Sequence, residues 1–433
     1  MATSNEPLEK AVELEIFIPT YHEEKNLRPL LPWIRHTLDE AGIQGQIYVI
    51  DATNDPQTRK LCDQHKVIFL PQEKPGFGGA LRLVWEKAAA PWFLTMDADL
   101  SHPPDFIVHL WKARHEADVV IASRYVPGGN ARTSWLRIFL SRCLNLLARY
   151  VLQTEIRDLT SNFRLYRTSS LQGIKTTRIR FDVLQEILVQ LLNRGKRICE
   201  VPFYYEPRFT GSSNVRLWSF GIDYLKAVFK DWRARNSVDS VDYDIRAYDS
   251  IVPLQRYWQR KRYRVISKMA YQAPSVLDIG CGSSRIIIDH PHWIGMDVNI
   301  QKLRYLYERH PRLAMASVSD IPLKSNSMDC IVCSQVIEHI TDMDRFWKEF
   351  YRVLRPKGVL ILGTPDYGMP FWPMFEYFHG KALPESYMKE HCTHWTFKSL
   401  TERLRKEGFE CKEWHYILGA ELIVEAIKKP MAL

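Results

Sequence analysis

The chain lacks a long apolar run. Across its 433 residues no hydrophobic stretch approaches the roughly 18 residues that a helix needs to cross a bilayer, which leaves no candidate for a membrane-spanning helix. The opening MATSNEPLEKAVELE is polar and acidic. It has neither a basic start nor an apolar centre, so no signal peptide is expected. Cysteine is sparse, eight residues scattered along the chain, which argues against a disulfide framework and suits a reducing cytoplasm. Cys330 and Cys333 do form a C-x-x-C, but inside the apolar run CIVC of an expected strand. Side chains three apart on a strand point to opposite faces, so a shared metal or disulfide is not expected. No internal repeat and no low-complexity tract is present. The net charge is +9, yet the arginines do not gather into one basic tail and no base-flipping signature accompanies them. Nucleic acid is therefore not an expected partner. A surface that attracts anionic lipid head groups and pyrophosphates accounts for the same charge balance.

What the chain does contain is two series of short β-rich runs separated by helical patterns. LEIFIPTY, QIYVID, KVIFL, WFLTMDAD and ADVVIASR form the first; SVLDIG, HWIGMDV, LAMASVSD, MDCIVCS and GVLILGT form the second, which ends in the more antiparallel FECKEWHYI and ELIVEAIK. Strands alternating with helices predict an α/β architecture with mostly parallel sheets. Between the series, NSVDSVDYDIR is polar, acidic and without apolar periodicity. The reading is a first domain over 1–235, a linker over 236–246 and a second domain over 247–433.

In the first domain, MDADLSHPP places Asp97 and Asp99 at the end of an apolar strand, where ligands of parallel sheets bind. One carboxylate of such a pair can hold a hard divalent cation on a nucleoside-diphosphate leaving group while the other orients the sugar or ribose. Taken alone, D-A-D can equally be a helix cap. Together with IPTYHEEKNL, SRYVPGG, the R-x-x-x-S-R-x-x-N of Arg137 to Asn145, DLTSNFRLYR and EVPFYYEPR, it resembles the family 2 glycosyltransferases of GT-A fold, and most of all the dolichol-phosphate mannose synthase group. The resemblance covers residues 14–232. It implies that Pro19, Tyr21, Glu23, Ile50 and Asp51 line the nucleotide pocket, that Asp97, Ala98 and Asp99 meet the donor, that Asp99 binds Mg2+ or Mn2+, and that Arg124 and Arg208 hold the diphosphate. Two positions depart from the family pattern: Ala52 stands where an aspartate contacts the nucleoside, and Asn214 where a lysine approaches the donor phosphates. These leave base and sugar open.

On a helical wheel of TSWLRIFLSRCLNLLARYVL, Leu136, Phe139, Leu140, Cys143, Leu146, Leu147 and Tyr150 share one face, opposite Arg137, Ser141, Arg142, Asn145 and Arg149. Such a helix either packs its apolar face on its own domain or meets lipid. The resemblance implies that Arg137 and Ser141 act at the reaction centre, receiving the phosphate of a polyprenyl phosphate. An ionised phosphate is already nucleophilic, its second pKa being about 6, so no general base is required.

In the second domain, VLDIGCGSS puts Asp278, Gly280 and Gly282 directly after a strand, where glycines let backbone approach a ligand. Asp297 ends the next strand, where a carboxylate can accept both hydroxyls of a ribose. With GMDVN, SDIPLKSNSMDCIVCSQVIEHI, FYRVLRPKGVLILGTP and HWTFKSLTERLRKEGF, residues 275–427 resemble class I methyltransferases with a Rossmann-like fold, which use S-adenosylmethionine. By that resemblance Asp320 contacts the adenine amine and Ile321 packs on the ring. His339, His391 and His394 are candidate bases whose ordinary reading is structural, and GMPFWPMFEYFHGKALPES reads as a substrate lid or a packing insertion.

The reading is a bifunctional cytoplasmic enzyme at the membrane surface. It transfers a hexose from a nucleotide-sugar to polyprenyl phosphate, and a methyl group from S-adenosylmethionine to a sugar or related small molecule. A soluble glycan or secondary metabolite as acceptor, and a non-catalytic scaffold built from transferase folds, are the alternatives.

Overall fold

The computed structural model describes residues 11–132, 135–205, 217–382 and 391–430. They form two compact units, Met1–Leu192 with Lys196–Trp232, and Asn193–Gly195 with Arg233–Leu433.

The sheet of the first unit is built from β1 (Leu14–Thr20), β2 (Gly45–Asp51), β3 (Ile68–Pro71), β4 (Trp92–Thr95), β5 (Val119–Ser123), β7 (Arg164–Arg167) and β8 (Ile198–Pro202), while β6 (Asn130–Ala131) and β9 (Tyr204–Tyr205) make a separate parallel pair. The order is β3-β2-β1-β4-β7-β5-β8. β1 to β4 run parallel, and β7 lies antiparallel between β4 and β5. The helix Glu24–Glu40 shows why: Leu27, Leu30, Leu31, Ile34 and Leu38 recur at helical spacing and pack with Leu14, Ile16 and Ile18 of β1. Its end is a glycine turn, with Gly42 at φ 66° and the amide of Ile43 donating to the Leu38 carbonyl at 2.9 Å.

The second unit holds β10 (Val276–Ile279), β11 (Ile294–Asp297), β12 (Leu313–Met315), β13 (Met328–Ser334), β14 (Leu354–Pro365), β15 (Phe409–Ile417) and β16 (Glu421–Lys428), in the order β12-β11-β10-β13-β14-β16-β15. The first five are parallel; β16 and β15 close the edge antiparallel. Cores lie on both faces. Phe346, Trp347 and Phe350 of the helix Met343–Val353 join Cys333 on one, and Trp258, Val265 and Ile266 of the helix Pro253–Ala270 join Cys330 on the other. The two cysteines of the C-x-x-C thus belong to different cores.

The 236–246 stretch is not an extended linker. Ser237, Ser240, Val241 and Asp242 are buried and a short helix starts at Tyr243. Asp242 accepts from Arg235 at 2.7 Å and pairs with Arg246 at 3.0 Å. The Asp242 carboxylate thus partners two buried arginines.

Candidate active sites

β2, β1 and β4 are adjacent and parallel, so their ends deliver three loops to one edge. Thr20 pairs with Asp51, and the amide of Met96 donates to the Phe17 carbonyl at 3.2 Å. Pro19, Tyr21, Glu23, Asp51 and the Asp97–Asp99 triplet are thereby brought to the same edge. Asp99 is buried and Oδ1 accepts from both the amide and the hydroxyl of Ser101. Asp97 accepts from Asn162 Nδ2 at 2.9 Å. Its backbone N–H donates to His102 Nδ1 at 2.9 Å, which leaves the ring proton on Nε2, 3.7 Å from the Asp97 carboxylate. Burial pushes the His102 imidazole below its ordinary pKa, so a neutral ring positions Asp97. The motif SHPP carries no local signal of this role for His102.

Asp97, His102, Arg124, Thr160, Ser161, Asn162, Phe181, Phe203 and Tyr205 line a cleft. Arg124 is gripped by Asp158 through Nε and a terminal nitrogen at 2.7 and 2.8 Å. Burial alone would lower its pKa, but that carboxylate holds the guanidinium above its usual range. It presents a fixed, permanent charge. Asp51, expected at the nucleotide, also has a local structural role. It is buried and accepts from Thr20 Oγ1 at 3.2 Å, Thr53 Oγ1 at 2.8 Å and the Asp55 amide at 2.8 Å, which makes it the organiser of the turn after β2. Ile50 is fully buried, and only its backbone is left to meet a ligand. Ala98 is buried and Tyr21 exposed. Arg208 and Asn214 lie outside the described residues, as does the side chain of Arg137.

The helix Trp135–Leu152 is turned inside out. Asn145, Ala148 and Leu152 face inward, whereas Trp135, Phe139, Leu140, Leu146, Leu147 and Tyr150 are exposed. The polar face is the one that packs: Asn145 Oδ1 accepts from the Leu159 amide at 3.1 Å, and Ser141 Oγ lies 2.6 Å from the Tyr125 hydroxyl. Tyr125 follows Arg124, so one hydrogen bond and one peptide link separate this helix from the cleft.

In the second unit, Gly280 and Gly282 adopt left-handed φ values of 68° and 52°. A Cβ on Gly280 would meet Val336 Cγ2 at 2.2 Å and one on Gly282 would meet Asp244 Oδ2 at 2.5 Å, so glycine is required at both. Asp297 accepts from the Gly282 amide at 2.8 Å and the Asn299 amide at 2.7 Å, which fixes its carboxylate beside the turn. Sequence reasoning missed Asp244. It comes from the stretch taken as linker, accepts from the Ser283 amide at 3.0 Å, and is paired with Lys302 at 3.0 Å. Ile321 belongs to a core and its amide donates to Glu349 at 2.8 Å, while Asp320 is exposed. A glycine turn that a Cβ would fill, next to a strand-end carboxylate, fits S-adenosylmethionine; the hard oxygens of Asp97 and Asp99 fit Mg2+ or Mn2+.

Asp278 is buried beneath the turn, and that burial, aided by nearby Asp297, pushes its carboxyl up to about 8. A cationic ligand favours the ionised form. S-adenosylmethionine, a sulfonium, is therefore expected to bind severalfold more tightly as pH rises from about 6.5 to 9, and Asp278→Asn should flatten that profile in calorimetry. A wild-type affinity independent of pH would contradict it.

Residues 15–174 match the profile of glycosyl transferase family 2, and residues 277–362 match a methyltransferase domain. The chain joins a family 2 glycosyltransferase domain to a methyltransferase domain. Over 240 residues it is 29% identical to the dolichol-phosphate mannosyltransferase of Pyrococcus furiosus, covering 53% of this chain and 66% of that one. Over 243 residues it is 29% identical to the polyprenol monophosphomannose synthase of Mycolicibacterium smegmatis, covering 52% of this chain and 88% of that one. A solved SAM-dependent methyltransferase from Thermotoga maritima is 21% identical, covers 43% of this chain and 96% of that one, and superposes with a TM-score of 0.37. The chain spans less than two thirds of the Pyrococcus relative's length. The two α/β units thus carry the two folds expected of the sequence, and the family 2 and methyltransferase motifs fall on the strand ends described above.

Proposed function

We propose that the glycosyltransferase domain moves a hexose from a nucleotide-sugar to polyprenyl phosphate at a membrane surface, and that the methyltransferase domain methylates a sugar or related small molecule. Both curated relatives named above carry dolichol-phosphate or polyprenol-phosphate sugar transfer in their names. The observation that carries the lipid reading is the inverted helix Trp135–Leu152. Exposed Phe139, Leu146 and Tyr150 form an apolar face that water penalises, and the helix contains no acidic residue to repel an anionic surface. Among the described residues no helix is long and apolar enough to cross a membrane.

The chemistry follows from the placement. Asp99 would hold the divalent cation, which supplies charge neutralisation on the departing diphosphate. Asp97, oriented by Asn162 and the neutral His102, would meet the donor sugar. Arg124, fixed by Asp158, places a positive charge in the same cleft, and Ser141, through Tyr125, ties the lipid-facing helix to it. Apolar side chains along the helix would receive the chain of the acceptor. In the methyltransferase domain S-adenosylmethionine supplies an electrophilic methyl group; Asp297 would take its ribose, and the backbone at Gly280 and Gly282 would approach its methionine portion.

Phe139→Glu combined with Leu146→Glu tests the lipid reading. Wild-type protein should cosediment with anionic vesicles and be released by salt, because basic side chains near such surfaces contribute about 1 kcal/mol each and are screened within a Debye length. The double variant should lose sedimentation and polyprenyl-phosphate turnover while keeping its nucleotide-sugar affinity. Unchanged sedimentation would show that this face does not meet lipid.

A further inference from the structure

Beyond the glycine turn, the end of β13 and the segment after it gather buried polar atoms that lack partners among the described residues. Gln335 is held at a left-handed φ of 60°, an unusual state for a non-glycine residue. Ser334 Oγ, Gln335 Nε2 and Glu338 Oε1 are buried, and none has a hydrogen-bond partner among the described residues. Buried polar atoms are nearly always satisfied, and three orphans within five residues point to a ligand. Glu338 is completely buried, and its other oxygen accepts from the Thr364 hydroxyl at 3.4 Å.

Two histidines close on this carboxylate. One ligand atom each from Glu338, His339 and His391 all lie within 4.8 Å of one another. His391 stands far along the chain and is brought in by backbone: the amides of Cys392 and Thr393 donate to the Glu338 carbonyl at 2.8 and 3.0 Å. Its ring is oriented by Tyr367, whose hydroxyl lies 2.7 Å from Nδ1; Tyr367 is itself stacked on His394 with centroids 4.1 Å apart. Metal-bound imidazoles characteristically have such a supporting partner on the second ring nitrogen.

We infer that Glu338, His339 and His391 form a divalent-cation site in the methyltransferase domain, and that the cation holds the hydroxyl that receives the methyl group. Two imidazoles and one carboxylate suit Mn2+, Fe2+, Co2+, Ni2+ or Zn2+ better than Ca2+, which prefers oxygen ligands alone. Three protein ligands leave coordination positions open for an acceptor oxygen. The location matches. β13 pairs in parallel with β10, Ile279 opposite Cys333, so the residues after β13 emerge beside the glycine turn, and Val336 lies against Gly280. In the reaction the acceptor O–H would lose its proton to solvent. The oxygen would then form a bond to the methyl carbon as the C–S bond breaks, and that electron pair would remain on sulfur in S-adenosylhomocysteine. Binding to a cation makes the hydroxyl more acidic, which explains how a weakly acidic sugar hydroxyl could react near neutral pH. The inference rests on the methyltransferase reading and narrows it to O-methylation.

The test uses the full-length Asp99→Asn protein, stripped with chelator, so that the glycosyltransferase cation does not interfere. Titration with Co2+ alone should give a single bound ion with visible absorption bands. Adding His339→Ala or His391→Ala should abolish both, and the near-isosteric Glu338→Gln should weaken binding by more than about tenfold, the smallest effect that even supporting residues produce. S-adenosylmethionine affinity, measured in each variant, should stay within twofold of the parent and so report an intact fold. A Co2+ count and spectrum that survive loss of both histidines, or an Asp99→Asn parent that binds no Co2+, would overturn the site. Failure of S-adenosylmethionine to bind the parent would instead overturn the methyltransferase reading.

Discussion

Asp99→Asn is expected to reduce sugar transfer by roughly a thousandfold while leaving methyl transfer unchanged. A cation on a leaving diphosphate contributes several kcal/mol of charge stabilisation, and each 1.4 kcal/mol or so is a tenfold change in rate. The substitution keeps the shape of a side chain that is buried and hydrogen-bonded to Ser101, so the fold should survive. The metal dependence of donor binding should go with the activity. Methyl transfer is spared because the methyltransferase motifs belong to the other compact unit, Asn193–Gly195 with Arg233–Leu433. Both rates would be measured on one preparation. Equal loss of both in a folded variant would show that the two sites are coupled.

The mirror experiment acts on the glycine turn. Asp297→Ala removes the proposed acceptor for the ribose hydroxyls and also the carboxylate that receives the Gly282 and Asn299 amides. Losing hydrogen bonds to a charged acceptor costs about 1.5–3 kcal/mol. Gly282→Val should do worse. Its Cβ would lie 2.5 Å from Asp244 Oδ2 at a φ of 52°, so both the backbone state and the space are denied to a branched side chain. Calorimetry should show S-adenosylmethionine affinity falling in the first variant and vanishing in the second, with sugar transfer intact. Unaltered affinity in both would remove the cofactor from this turn.

Local signals were legible in the sequence, and long-range ones were not. The D-A-D and the glycine turn each sit at a strand end and were readable because strand, turn and functional residues are contiguous. The antiparallel close of the second sheet was readable from two adjacent β-rich runs, now β15 and β16. The helix Trp135–Leu152 announced its amphipathicity, but a wheel does not say which face meets the protein. Only the contacts of Asn145 and Ser141 show that the polar one does. Asp51 also organises the turn after β2, a role that an aspartate at a strand end takes with the same local sequence as a ligand contact. Asp244 was hidden for the opposite reason. A polar, aperiodic stretch reads as linker, and nothing local reveals that one carboxylate in it returns to the Ser283 amide. The meeting of Glu338, His339 and His391 depends on a backbone contact across a long insertion, which no spacing rule anticipates.

The central claim, that the first domain builds a lipid-linked sugar, is tested most directly by following the label. Purified protein would be given radiolabelled nucleotide-hexoses and Mn2+, with and without polyprenyl phosphate in anionic vesicles, and the products partitioned between water and organic solvent. Label entering the organic phase only when polyprenyl phosphate is present, and not with Asp99→Asn, is the expected result. Label accumulating on a water-soluble acceptor in the absence of any lipid would contradict it.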